Sequence, residues 1–498
     1  MNMLLLLLII PALTVGGLLF SNGKRLPRMV AAVGMSLQFA AACYLVLAYL
    51  QERAAGNTAE MLFTSSYEWF KYLNIRFDLG VDGVSVSLIL LTAIVTLAGV
   101  FISWRVEDLA KEFFVSLILL ATGVFGFFIS IDLFSMFLFY ELAVIPMYLL
   151  IGIWGSGPRE YAAMKLTLML MAGSAFLLVG LLGLYFYSAN AADQHTFNLL
   201  EIARGGIPIE AQRLFFPLTF VGFGVLGALF PFHTWSPDGH ASAPTAVSML
   251  HAGVLMKLGG YGCFRVAIFL MPEAAAEMSW FFIILTGFSV IYGAFGAIRQ
   301  TDLKYINAYS SVSHCGLVLF AILMLNETAL TGAVLQMISH GLMTALFFAL
   351  IGMLYERTHT RIVQEMGGLL KVLPFISAVY VIAGLASLGL PGLSGFVAEL
   401  SIFVGAFEHP DVFHRVWTIL AVSAIVVTAV YILRVVGVML MGPIKEPAYA
   451  SLPGAYWFEK TGALLLVLPI LGMGLLPLWL ADMIQFSLIP LLRALGVG

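Results

Sequence analysis

The chain has 498 residues, 61% of them hydrophobic and only 10% charged. A water-soluble protein of this length needs a larger polar share to cover its surface, so that class is excluded. The formal net charge is −3 and no basic tract occurs, so nothing points to nucleic acid. The three cysteines, Cys43, Cys263 and Cys315, each stand alone in an apolar run, with no CxxC or Cys/His cluster to hold iron–sulfur or zinc.

Apolar runs recur along the whole chain, at close to the ~20 residues a helix needs to cross hydrocarbon. The first, Met3–Phe20, carries its basic residues after the run, in GKRLPR, and so reads as a first span rather than a signal peptide. Hydropathy predicts about fourteen spans, near 3–20, 29–50, 84–104, 112–130, 132–154, 162–187, 214–232, 244–270, 280–298, 305–325, 328–355, 374–407, 413–441 and 460–484. The fold class is therefore an all-α polytopic membrane protein. One set of alternate loops holds most of the basic residues, among them Lys24, Arg28, Arg105, Arg299, Lys304, Arg357 and Arg361. The other holds mainly Arg53, Lys71, Arg76, Arg204 and Arg213. The richer set is expected on the cytoplasmic side, which places both termini outside.

Two of these stretches are interrupted. GALFPFHTWSPDGHASAPT, near 227–245, and SLGLPGLSGF, at 387–396, put proline and glycine inside apolar runs. Proline removes a backbone donor and glycine loosens a helix, and broken helices survive at membrane depth only against protein or a water-filled cavity. Each break falls in a five-helix block, 112–270 or 280–441, which suggests a duplicated unit with inverted topology. Helices 1–3 (1–111) precede the blocks, and a last helix lies in 442–498.

A charge near the bilayer midplane costs about 3 kcal/mol or more, so those that occur there need a reason. Glu141 falls mid-run in span five, Lys257 in span eight, and Glu399 just after the second break. His233 sits at the first break, His251 shares span eight with Lys257, and His314 and His340 belong to the second block. Glu141, His233, Lys257, His314, His340 and Glu399 are candidates for a proton path, since neutral imidazole passes a proton between its two nitrogens. Gly259 and Gly260 suit close helix contact beside Lys257.

The stretches FYELAVIPMYLLIGIWG, FPFHTWSPDGHASAPTAVSMLHAGVLMKLGGYG, AYSSVSHCGLVLF, ISHGLMTALFFALIGMLYERTHTR and GLPGLSGFVAEL resemble the antiporter-like membrane subunits of respiratory complex I, the proton-pumping NADH:quinone oxidoreductase. The chain is most similar to the M-type, because Glu399 stands where the L-type, N-type and sodium/proton antiporter subunits have lysine. The resemblance implies that Glu141 is the fifth-helix glutamate, Lys257 the central lysine, Glu399 the exit-side glutamate, and His233, His314 and His340 connecting relays. It also implies other membrane-arm subunits as partners, especially the L-type and N-type, and FMN, iron–sulfur clusters and quinone on partners rather than on this chain. The implied location is the inner (plasma) membrane of a bacterium. A subunit of an Mrp-type cation/proton antiporter, or of a membrane-bound hydrogenase or ferredoxin-linked complex, is the alternative.

One position departs from the family. A lysine is usual seven residues before the HxW histidine; here Leu226 stands there. Three readings stay open for Glu141: a cation from a neighbouring subunit, a protonated carboxyl, or an impaired first half-channel.

Overall fold

The computed structural model describes residues 2–188 and 194–496. Its helices are α1 (Met3–Leu19), α2 (Leu26–Ala54), α3 (Gly83–Ile102), α4 (Ala110–Ile129), α5 (Leu133–Trp154), α6 (Arg159–Tyr187), α7 (Leu199–Gly205), α8 (Ile209–Leu226), α9 (Trp235–Ser242), α10 (Thr245–Leu250), α11 (Met256–Gly262), α12 (Pro272–Arg299), α13 (Leu303–Ile322), α14 (Glu327–Thr358), α15 (Leu369–Val372), α16 (Pro374–Ser387), α17 (Ser394–Glu408), α18 (Val412–Leu440), α19 (Trp457–Leu475) and α20 (Leu478–Ala494). Eleven of the described helices, α2–α6, α8, α12–α14, α18 and α19, are long and apolar enough to cross a membrane unaided.

The remaining expected spans are short or interrupted. The first is the 17-residue α1. Both predicted breaks are present, between α8 and α9 and between α16 and α17. The span around Lys257 is a composite: α10, a π turn at His251–Leu255, α11, and a second π turn at Cys263–Ile268. The last span is not one helix. α19 and α20 part at Leu476–Pro477, and beside that third break a Cβ on Gly474 would lie 2.3 Å from the Gly392 carbonyl oxygen. The C-terminal interruption is therefore packed on the second break. The loop after α2 also holds an element not read from the sequence, an antiparallel hairpin of β1 (Leu62–Phe70) and β2 (Ile75–Val81).

Loop contacts sort into two ends of the bundle. At one end Lys24 pairs with Glu107, Arg105 lies 3.9 Å from Glu356, and Arg361 donates to the Ala241 carbonyl. At the other, Asn2 donates to the hairpin at Phe63, Arg204 faces Glu60, and Arg213 pairs with Glu277. Ser487 of α20 lies near this second end, where its Oγ accepts from the Gly83 N–H at the start of α3. The grouping follows the alternate-loop division, with the basic-rich loops together and the N-terminus and α20 at the opposite end.

The suspected duplication has a local signature. HTFNLLE (195–201) and HTRIVQE (359–365) match at the same spacing. In the first copy Leu133 N donates to Phe197 O and Leu199 N to Ile131 O, both at 2.9 Å. In the second Leu303 N donates to Arg361 O at 2.9 Å and Val363 N to Thr301 O at 3.0 Å. Thr196 and Thr360 each donate to the glutamate five residues on, Glu201 or Glu365. Asp132 and Asp302 cap the helices so held, α5 and α13. The first hook lies at the hairpin end, where Asn74 donates to the His195 carbonyl. The second lies at the basic-rich end, where Arg361 pairs with Asp302 at 3.1 Å.

Arg357 locks that basic-rich end from inside. Its guanidinium donates to both carboxylate oxygens of Glu459 at 2.7–2.8 Å and to the carbonyls of Met353, Pro453 and Gly454. Both partners are buried. Removing one partner of such a pair strands the other charge, which costs about 3–5 kcal/mol. Arg357→Ala is expected to destabilise the protein by that amount in denaturant unfolding from detergent, whereas the double replacement of Arg357 and Glu459 by methionine costs clearly less.

Candidate functional site

The site is built around α14, the one described span whose most apolar window is buried throughout. Glycines allow its neighbours to close in. A Cβ on Gly341 would lie 2.5 Å from the Gly253 carbonyl oxygen, so α14 and the span of Lys257 meet backbone to backbone. A Cβ on Gly259 would lie 2.5 Å from the Gly227 nitrogen, and one on Gly260 2.9 Å from Met337 Sδ. The expectation of close contact at Gly259 and Gly260 thus holds, and Gly259 seats Lys257 directly on the first break.

Lys257 is 2% exposed. Its ammonium donates to the Ala252 carbonyl, which the π turn presents one turn back, and to His340 Nδ1 at 2.8 Å. An ammonium only donates, so Nδ1 is the accepting nitrogen of that ring. The His340 ring stacks on His314 with centroids 5.3 Å apart. His314 Nδ1 accepts from the Gln336 amide at 3.1 Å and lies 3.6 Å from Glu399 Oε1. Its Nε2 lies 3.4 Å from Ser387 Oγ, beside the second break. The Glu399 carboxyl is lodged against that break as well: a Cβ on Gly389 would come within 2.6 Å of Oε2. Tyr431 OH donates to Ser310 at 2.8 Å, and Ser339 to Ser394 at 2.8 Å, adding hydroxyls around this cluster. Lys257, His340, His314 and Glu399 thus stand in series on α11, α14, α13 and α17.

The other two candidates lie apart from it. His233 packs against Phe230 and against Tyr292 of α12, with ring centroids at 5.6 and 4.8 Å, and its Nδ1 has no hydrogen-bond partner among the described residues. Glu141 is only partly buried. It shares a face of α5 with Leu138, Ile145 and Tyr148, all exposed, so the residue lies at the outer edge of the chain, although Oε1 itself is buried. Ser174 of α6 is its polar neighbour, Oε1 has no partner, and no ion pair reaches it among the described residues. Leu226 is fully buried at the end of α8.

Other polar groups were not among the proton-path candidates read from the sequence. His240 and His251 stack at 4.4 Å, enclosed by Trp235 and Phe348, and neither ring has a hydrogen-bond partner among the described residues. Lys165 of α6 bonds Asp238 of α9 at 2.6 Å, and Tyr305 of α13 donates to the same carboxylate at 3.2 Å. Lys304, read as a loop cation, is buried and donates to the Ala243 carbonyl at 2.6 Å, closing the end of α9. Arg265 forms a buried pair with Asp82, the cap of α3. Spacing alone carries no signal for such pairs, because their partners are distant in the chain.

Gly389 has φ +64° and no room for a side chain. Gly389→Ala is expected to cost about 1–2 kcal/mol for the left-handed backbone and to displace the Glu399 carboxyl. The check is infrared spectroscopy: the carboxyl band that Glu399→Gln removes should shift in Gly389→Ala.

Residues 130–429 match the transmembrane family described as NADH:quinone oxidoreductase/Mrp antiporter. The chain is 34% identical to NADH-quinone oxidoreductase subunit M of Rickettsia prowazekii, over 92% of both chains. It is 40% identical to NAD(P)H-quinone oxidoreductase chain 4 3 of a Picosynechococcus, over 83% of this chain and 74% of that one. Among solved structures, a chain of respiratory complex I from Thermus thermophilus with bound NADH superposes with a TM-score of 0.89 at 26% identity, covering 99% of this chain and 100% of that one. A chain of the Mrp complex from Dietzia shares the fold, with a TM-score of 0.85 at 19% identity over 100% of this chain and 99% of that one. With its broken helices and its buried lysine, the chain belongs to the NADH:quinone oxidoreductase/Mrp antiporter family of membrane subunits.

Proposed function

We propose that the chain is the M-type, proton-translocating membrane-arm subunit of an NADH:quinone oxidoreductase. The observation that carries this is the hydrogen bond from the Lys257 ammonium to His340, continued by His314 to Glu399. A buried lysine loses its proton to His340 when a change of local field disfavours the charge, and regains one when the field relaxes. Glu399, lodged at the second break, is the group that passes the proton toward the end of the bundle where α17 finishes. Quinone reduction elsewhere in the complex supplies the field change. NADH oxidation, FMN, the iron–sulfur clusters and quinone belong to partner subunits, consistent with the scattered cysteines of this chain.

In this reading the exposed face of α5 and α6 meets a neighbouring membrane subunit, of the L-type or N-type, and Glu141 takes its countercharge there. The membrane is the inner (plasma) membrane of a bacterium, with the basic-rich loops in the cytoplasm and both termini outside.

Lys257→Met in the assembled complex is expected to abolish proton pumping and to slow coupled quinone reduction at least tenfold, with assembly intact. Vesicle acidification and NADH:quinone turnover measure both, and unchanged pumping would sink the proposal. Glu141→Gln is expected to lower pumping less than Lys257→Met does, because its cation within the chain is already replaced by Leu226. Cation-driven exchange by the chain without redox partners would favour the antiporter reading instead.

A further inference from the structure

Behind the buried line lies a cavity of about 180 Å³, between α2, α3, α14, α19 and α20. Leu91 and Ile94 of α3 and Ile338 and Leu342 of α14 form its inner side, and all four are buried. Ile338 and Leu342 share one face of α14, whereas His340, two residues from each, projects from the opposite face. The cavity thus backs on the helix that carries His340, near the middle of its length. Its mouth is formed by Gly472 of α19, Leu476 and Trp479 of α20, all exposed.

The local sequence opens this space. Gly472 brings no side chain to it, and a Cβ there would meet nothing within 4 Å. Four residues on, the chain parts at Leu476–Pro477, while Gly474 is packed on Gly392 of the second break. Among the described residues the lining carries no charge. Its only polar side-chain groups are the Ser87 hydroxyl, which already donates to the Val84 carbonyl at 2.8 Å, and the Trp479 indole N–H at the mouth. A water needs two or more polar partners, and an apolar cavity of about 150 Å³ stays dry yet admits benzene or xenon. A headgroup or a quinone ring would bring polar atoms that find no partner inside. Interiors are packed with few voids larger than a water, so an empty space of this size forfeits dispersion contacts along every wall. The chemistry that fits it is hydrocarbon.

We propose that this cavity binds one acyl chain of a membrane phospholipid, which enters between Gly472 and Trp479 and lies against α14. Leu468, Leu475 and Leu478 beside the mouth are exposed, so it opens among side chains that face the bilayer. The bilayer supplies acyl chains there in greater amount than any other hydrocarbon. The headgroup keeps its polar partners at the water boundary, and only the end of the chain, which has no polar atom, reaches the inner side. The site stands apart from the titratable groups and does not depend on the assignment of proton translocation.

The test uses the intact membrane complex in vesicles of phosphatidylethanolamine and phosphatidylglycerol, doped with a phosphatidylcholine that carries a diazirine near the end of one acyl chain. After photolysis, peptide mass spectrometry locates the adducts. Lipid surrounding the protein does not reach α14, whose most apolar stretch is buried throughout. Adducts on Leu91, Ile338 or Leu342 are therefore the expected signature of a chain inside the cavity. In Gly472→Phe, which fills the space, they are expected to fall by at least about tenfold, with adducts on Leu468 and Leu478 unchanged. Gly472→Leu decides the matter should the larger variant assemble poorly. Absence of adducts on α3 and α14 of the native complex would overturn the proposal, and is the result expected where a neighbouring subunit fills the mouth. Undiminished adducts in the Gly472 variants would overturn it too. Their loss on adding excess long-tailed quinone would assign the cavity to an isoprenoid chain instead.

Discussion

An ammonium group in the middle of a bundle must be given hydrogen bonds that the bilayer cannot supply, and much of this molecule is arranged to provide them for Lys257. The π turn at His251–Leu255 brings the Ala252 carbonyl round to the side chain five residues later. Gly253, Gly259 and Gly341 let backbones approach until His340 of α14 is within bonding distance. α14 must then be covered on every side, which the close packing of α3, α13, α17 and α19 achieves. The second break follows from the same need, since Glu399 lies where only a glycine leaves space.

The sequence was legible where the physics is local. Apolar length announced the spans, proline and glycine announced two breaks, and isolated charges in apolar runs picked out Lys257, His340, His314 and Glu399, which the fold gathers into one line. It was less legible where partners are far apart in the chain. Arg265 with Asp82, and Arg357 with Glu459, look like ordinary loop or cap charges until the helices are assembled. The third break escaped notice because Leu476–Pro477 lies in an unremarkable apolar run, and its meaning comes from Gly392 across the interface. His233 illustrates the converse: its neighbours are aromatic rings rather than the other titratable groups.

Glu141 and Glu399 show how two glutamates in one bundle come to differ. Glu399 is enclosed by the chain's own helices and approached by His314. Glu141 has a serine for company and an apolar face on either side. Leu226 is buried at the end of α8, so no cation stands at that position of the first block. The polar line is consequently concentrated in the second block and at Lys257, in the last span of the first.

The paired His-Thr hooks have a consequence for direction. Each clamps the start of a helix with the same two backbone bonds and the same threonine–glutamate contact, one hook on each face. A device that works equally well on both faces is blind to which way up the molecule lies. Orientation then depends on the uneven share of loop arginines and lysines between the two ends. The compass of the bundle is written in surface charge, while its two hooks are close to symmetric.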